Sequence, residues 1–224
     1  MTTVDFSVFY QRACERKGGE SAMLALMPRV ASDEELAQIP DDRVLSLFTR
    51  CVFRAGFVWQ IIDRKWPSFE EAFKGFVPFY WQQVPPEVLE DLAQDPRIVR
   101  NFQKIMTVPV NARMIVEVAD EYGSFGRFLA QWPGSQQADL LIYLKKHGAR
   151  LGGNTSQYAL RALGWDGFVL SSDVITALTN YKLLDASVTS KKGLNQVQAA
   201  INHWHQQTGL PRSHISRILS YSVG

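Results

Sequence analysis

KKHGARLGGNTSQYALRALG, residues 145–164, decides how the rest of the chain is read. Leu160 and Leu163, with Tyr158 and Ala162 beside them, look like one apolar face of a helix. Gly148, Gly152 and Gly153 interrupt that pattern near its start, among Lys145, Lys146 and Arg150. Glycine permits positive φ and lets another backbone approach closely. The spacing therefore predicts a helix ending over Leu140–Lys146, a turn containing Arg150-Leu151-Gly152-Gly153, and a second helix over Asn154–Leu163. The start of the second helix offers unpaired N–H groups and the positive end of a dipole, which together suit a phosphate. Thr155 adds a hydroxyl in the first turn, and the three cations add attraction to an anionic backbone. Spacing alone equally allows a Gly C-cap and a tight turn between two core helices, with the cations on a solvated face.

The chain around this hairpin has 224 residues, 46% hydrophobic and 21% charged. That is enough for one sizeable core, or for two small lobes sharing a core. The net charge of +2 hides an asymmetry, because residues 140–224 carry nine Lys/Arg against three Asp. A basic C-terminal part suggests an anionic partner; chance asymmetry on a solvated surface is the other reading. Cys14 and Cys51 belong to no CxxC or Cys/His array, so no disulfide framework, metal site or cofactor is expected. His203 and His205 stand two apart, which splays them around a helix. MTTVDFSVFY (residues 1–10) has no basic segment followed by an apolar run, and no apolar stretch is long enough to span a membrane. The expectation is a cytoplasmic monomer with no membrane partner.

The strong periodicities are helical. Val44, Leu45, Phe48, Val52, Ala55 and Trp59 recur at three- and four-residue spacing. So do Ile105, Val108, Ala112, Ile115 and Val116; Val174, Ala177, Leu178 and Tyr181; and Val197, Ile201 and Trp204. Ser68 before Phe69-Glu70-Glu71, Pro85-Pro86 and Pro211 read as helix starts, and Pro109 as a bend or a start. Residues 164–172 and 185–193 read as loops. No region alternates cleanly as a strand would. The prediction is an all-α protein of about ten helices, a single domain over 1–224, with two helical lobes around a cleft.

The pattern L-K-K-x-G-x-x-x-x-G-x-T-x-x-Y-A, met by Leu144, Lys145, Lys146, Gly148, Gly153, Thr155, Tyr158 and Ala159, resembles the hairpin of the bacterial DNA-3-methyladenine glycosylase I family. That family belongs to the helix-hairpin-helix DNA glycosylase superfamily. Ala162-Leu163-Gly164 resembles its following A-x-G, one residue early. Upstream, Ala55-Gly56-Phe57-Val58-Trp59 resembles A-G-L-S-W, and Phe69, Ala72, Phe73 and Phe76 resemble F-R-x-A-F-x-x-F. Arg100-Asn101, Lys104-Ile105, Asn111-Ala112 and Tyr122-Gly123-Ser124-Phe125 resemble R-N-x-x-K-I, N-A and F-G-S-F. The matches keep the family's order over roughly residues 45–164.

The departures bear on chemistry. The family's N-terminal Y-H-D-x-E-W-G is absent, and so are the Cys and His residues of its structural zinc. Tyr10 is the aromatic residue offered to a pocket from that end of the chain. Cys51 stands where the family has a pocket Glu, and a thiol cannot accept hydrogen bonds as a carboxylate does. Another branch of the superfamily carries a catalytic Asp roughly twenty residues beyond its hairpin. Asp173 lies 18 positions after Thr155, near that place, although Ser171-Ser172-Asp173 also reads as a helix N-cap. Lyases of the superfamily have a Lys just before the hairpin Thr; Asn154 occupies that position and has no amine to attack a sugar carbon.

The resemblance implies a monofunctional DNA glycosylase acting on double-stranded DNA that holds a damaged, alkylated base. The backbone of Gly152, Gly153 and Asn154, with Thr155, would grip a phosphate. Trp59 and Phe57 would stack on a flipped base, where a positively charged methylpurine gains a cation–π contact. Asp173 would stabilise the cationic sugar or orient a water. A helix-hairpin-helix protein that binds DNA without catalysis is the alternative, as is an unrelated helical interaction protein without DNA affinity.

Overall fold

The computed structural model describes residues 4–223. Among them, every regular element is helical and there is no strand. The helices run α1 (Ser7–Lys17), α2 (Glu20–Leu24), α3 (Asp33–Ala37), α4 (Asp41–Arg54), α5 (Trp59–Ala72), α6 (Pro78–Trp81), α7 (Pro86–Gln94) and α8 (Phe102–Ile105). They continue with α9 (Thr107–Tyr122), α10 (Phe125–Gln131), α11 (Gln137–His147), α12 (Asn154–Leu163), α13 (Ser172–Asn180), α14 (Lys191–Thr208) and α15 (Arg212–Tyr221). Two one-turn 3₁₀ pieces sit at Lys74–Phe76 and Gly134–Gln136. The count exceeds the expected ten because α2, α3, α6 and α8 have only four or five residues. A single turn is too short for a three-to-four spacing to repeat.

One start is corrected. Ser68 does not open a helix; α5 runs through Pro67 and leaves Ser68 in its interior. Ile62, Trp66 and Phe69 are all buried on one side of α5. The Trp66 ring also stacks on Phe69 at 4.9 Å and on Phe76 at 5.6 Å. That aromatic burial outweighs the helix-breaking tendency of Pro67. Pro109 lies in the first turn of α9, where a missing N–H breaks no intrahelical bond. Pro86 is the first residue of α7, and Pro211 is the N-cap of α15.

The described chain forms two compact units. One comprises Ala31–Trp132 and Leu141–Leu163. At its centre α4 buries Val44, Leu45, Phe48, Val52 and Phe53 and packs against α5, α9 and α12. Phe48 meets Phe125 of α10 edge-on at 5.4 Å, and Asp41 accepts the Phe125 N–H at 2.8 Å. The second unit holds 4–30, Pro133–Leu140 and 164–223. Its core gathers Phe6 and Phe9 around Trp204 of α14. The expected loop at 164–172 has no regular structure up to Ser171, yet Trp165, Phe168, Val169 and Leu170 are buried. Side chains replace a ladder there. The Gln137 amide donates to the Phe168 carbonyl at 2.8 Å and accepts its N–H at 2.7 Å. Ser216 does the same for Val169, at 3.2 and 2.9 Å. Buried backbone groups need such partners.

Candidate active site

The hairpin is held from beneath by Asn111 of α9, which is fully buried. Its Oδ1 accepts the Ala149 N–H at 2.7 Å, and its Nδ2 donates to the Ala149 carbonyl at 3.2 Å. One amide thus satisfies both polar groups of the residue that opens the turn. Gly148 is glycine for space: a Cβ there would stand 2.5 Å from Leu151 Cδ1 and 2.9 Å from the Leu144 carbonyl oxygen. Gly153 is glycine for conformation, with φ of 58° and open space around it. Arg150 also sits in the left-handed region at φ 57°, and its guanidinium donates to Gln103 at 2.7 Å. α12 then begins at Asn154, as the spacing predicted. Gly153, Asn154, Lys145, Lys146 and Arg150 are exposed, while Gly152 and Thr155 are partly so.

Behind its first turn, α12 faces α4 across a cavity of about 280 Å³. Asn154, Thr155, Tyr158, Arg161 and Ala162 form one wall. Cys51, Arg54, Ala55 and Trp59 form the other. All nine residues belong to the Ala31–Trp132 and Leu141–Leu163 unit. Trp59 meets Tyr158 edge-to-face at 5.3 Å. The Arg54 guanidinium lies over the Trp59 ring at 5.1 Å, so the cation–π partner foreseen for a methylated base is here a protein side chain. Arg54 also grips Asp63 Oδ1 at 2.6 Å, an oxygen shared with Arg50. Burial alone would raise the Asp63 pKa, but the hydrogen bonds and charges of Arg54 and Arg50 hold it below its usual 3.8.

Cys51 is 5% exposed. Burial pushes its thiol pKa up to about 11, against the opposing pull of Arg54 and Arg50. At neutral pH it is an uncharged thiol. Since the thiolate is the reactive form, iodoacetamide at pH 8 should modify Cys51 about a hundredfold more slowly in the native protein than in the unfolded chain. Peptide mapping by mass spectrometry measures this, and equal rates would contradict the assignment.

The other expected residues fall elsewhere. Phe57 does not line the cavity. It lies in the turn between α4 and α5, where Gly56 has φ 75°, and it is 40% exposed. Lys104 fixes that turn: its Nζ donates to the carbonyls of Phe53 and Ala55 at 3.1 and 2.6 Å and lies 4.4 Å from the Phe57 ring. Those carbonyls are among the last of α4, which a helix leaves unpaired. Burial, then the nearby Arg150, lowers the Lys104 pKa. Tyr10 belongs to the second unit and does not line the cavity; its hydroxyl donates to Glu20 at 2.5 Å. Asp173 also belongs to the second unit, where it is exposed in the first turn of α13. It is not the N-cap: Ser171 is, accepting the Val174 N–H at 3.3 Å.

Arg54 and Arg161 were not foreseen. Positions 154, 158, 161 and 162 fall on one helical face, a spacing that could have pointed to Arg161. Among the described residues no three His, Cys, Asp or Glu cluster as metal ligands, and no helix is long and apolar enough to cross a membrane.

The family model for methyladenine glycosylases matches residues 37–176. Three solved structures share the fold. A Tyr-to-Phe variant of 3-methyladenine DNA glycosylase I in complex with 3-methyladenine is 23% identical, with a TM-score of 0.50 over 60% of this chain and 84% of that one. A Glu-to-Gln variant of the Staphylococcus aureus 3-methyladenine DNA glycosylase I is 22% identical, with a TM-score of 0.52 over 69% and 91%. The Methanocaldococcus jannaschii 8-oxoguanine glycosylase/lyase, in complex with a 15mer DNA containing 8-oxoguanine, is 14% identical, with a TM-score of 0.55 over 95% of both chains.

Proposed function

The chain belongs to the methyladenine glycosylase family and is a DNA N-glycosylase of base excision repair, and we propose that it removes an alkylated base from duplex DNA by hydrolysis alone. The observation that carries this reading is the double use of α12. Its exposed start, with Gly153 and Asn154, suits a phosphate, and the same helix supplies Tyr158 and Arg161 to the cavity wall. A helix that grips the backbone thereby also positions the pocket for an extruded base. Trp59 supplies the aromatic surface of the wall that also holds Cys51.

The chemistry is a heterolysis. The C1′–N bond breaks, its electron pair leaves with the base, and positive charge develops on the sugar. The Asp173 carboxylate supplies the charge that stabilises it. Water then adds to C1′ and gives up a proton. Asn154 offers no amine for a Schiff base, so the product is an abasic site in an intact strand. The residues present do not fit the structural zinc of the family: among the described residues no three His, Cys, Asp or Glu side chains gather as ligands. We place the protein in the cytoplasm as a monomer and treat 1–224 as one glycosylase domain.

The test is release of free base from damaged duplex DNA with protein below substrate concentration. Several bases released per protein molecule are expected; none above the protein-free control would overturn the reading. Replacing both Lys145 and Lys146 by Ala should make the dependence of log K on log salt shallower by about 1 to 2, as loss of phosphate contacts requires. An unchanged slope in filter binding would remove these lysines from the DNA contact.

A further inference from the structure

Asp63 does not line the cavity, yet it fixes a side chain that does. It stands one turn after Trp59 on α5, and Arg50 and Arg54 stand one turn apart on α4. Asp63 Oδ1 accepts from Arg54 Nε at 2.9 Å and Nη2 at 2.6 Å, and from Arg50 Nε at 3.0 Å. Each arginine also lies over a tryptophan, Arg54 over Trp59 at 5.1 Å and Arg50 over Trp66 at 5.6 Å. The Arg54 guanidinium is thus held twice, through two of its nitrogens by a carboxylate and by the indole beside it. Its third nitrogen, Nη1, makes no hydrogen bond among the described residues. Of the wall formed by Cys51, Arg54, Ala55 and Trp59, only Arg54 is charged. Arg50 does not line the cavity.

We propose that Asp63 is a positioning residue for base excision: it holds Arg54 so that Nη1 donates a hydrogen bond to a ring nitrogen or carbonyl on the edge of the extruded alkylated purine. The inference rests on the glycosylase reading above and adds two residues to it. As the C1′–N bond breaks, its electron pair passes to the base, and positive charge passes from the base to the sugar. The acceptors of the purine then gain electron density, and the repulsion between base and guanidinium falls. A donor on that edge is therefore stronger in the transition state than in the ground state, and its contribution appears in the rate of the chemical step. No proton moves from Arg54; water still adds to C1′ and gives up its proton. A free arginine would have to be ordered at each turnover, whereas one already fixed by Asp63 and Trp59 loses little freedom when the base arrives.

The experiment is single-turnover release of base from duplex treated with dimethyl sulfate, with protein in excess and the protein-free rate subtracted. Arg54→Gln should slow release about thirtyfold, less than the hundredfold or more of an oxyanion-hole donor, because the base departs neutral. Asp63→Asn should slow it about tenfold through the misplaced donor. Asp63→Glu keeps a carboxylate for the arginines and should stay within about threefold of the parent. Arg50→Gln breaks the same network but leaves Arg54 on Asp63, so its rate should stay within about twofold. Combined with Arg54→Gln, Asp63→Asn should add less than about twofold, because it acts only through Arg54. A network that only braces α4 against α5 predicts otherwise: rates would follow Tm, Arg50→Gln would slow release as much as Asp63→Asn, and the double variant would lose the product of both factors. Any of those results, or an Arg54→Gln rate within twofold of the parent, would overturn this inference and leave the glycosylase reading standing. If Arg54→Gln does not fold, the comparison of Asp63→Asn with Arg50→Gln decides alone. No release by the parent protein would fail both.

Discussion

Asp173→Asn is expected to slow single-turnover base release about a thousandfold, the upper range for removing an electrostatic partner of the transition state. The change keeps the shape and removes the charge. Ser171, not Asp173, caps α13, so the helix start survives the substitution. The loss of a first-turn acid from the helix dipole amounts to about 0.3–1 kcal/mol, which leaves the fold intact. Duplex affinity, read by gel shift, should change by less than about threefold, well under 1.4 kcal/mol. A rate within fivefold of the parent would reduce Asp173 to an ordinary first-turn acid. It would move the search for the charge that stabilises the sugar to another residue.

Asn111→Leu should have the largest effect on the hairpin. It removes both hydrogen bonds to Ala149 and leaves a buried N–H and a buried carbonyl without their partner. Each orphaned group costs about 1–3 kcal/mol, so the sum is about 2–6 kcal/mol. For a chain of this size that lowers Tm by about 4–24 °C. Asn111→Asp keeps the acceptor for the Ala149 N–H and loses the donor, and its Tm should fall between the two. Because Ala149 opens the turn that places Gly153 and Asn154, duplex affinity should weaken in the same order. A Tm unchanged in Asn111→Leu would show that the turn holds itself.

The hairpin was legible because its signal is local. Glycines at 148 and 153 and the apolar face of α12 fix two helix ends within one short stretch. The same stretch hid their separate reasons. Gly153 answers a backbone angle, whereas Gly148 answers a side chain from α9 and a neighbour, Leu151, that folds back on it. Asn111 was readable in principle, since it shares a helical face with Val108, Ala112 and Ile115 and is the polar member of an apolar stripe. Lys104 gave no such sign; its partners, Phe53 and Ala55, are about fifty positions away in sequence.

The cavity was legible only in part. Periodicity says which side of a helix is apolar, not which distant side chains meet there. Cys51 and Trp59 stand at one cavity, but Phe57, two residues from Trp59, is turned to the Lys104 side by the positive φ of Gly56. Arg54 and Arg161 read as surface charge until α4 and α12 are set face to face. The Ser68 start failed for a related reason. A serine followed by acids in the next turn is a helix start in isolation, yet the aromatic stack of Trp66, Phe69, Phe73 and Phe76 carries α5 through it.

In the proposed reaction the cavity between α4 and α12 receives the extruded base. This placement is tested most directly by a crystal of the protein soaked with the free base that the enzyme releases. The base is expected beside the Trp59 ring and Cys51, with its acceptors toward Arg54 or Arg161. A base bound with no contact to these four side chains would contradict it.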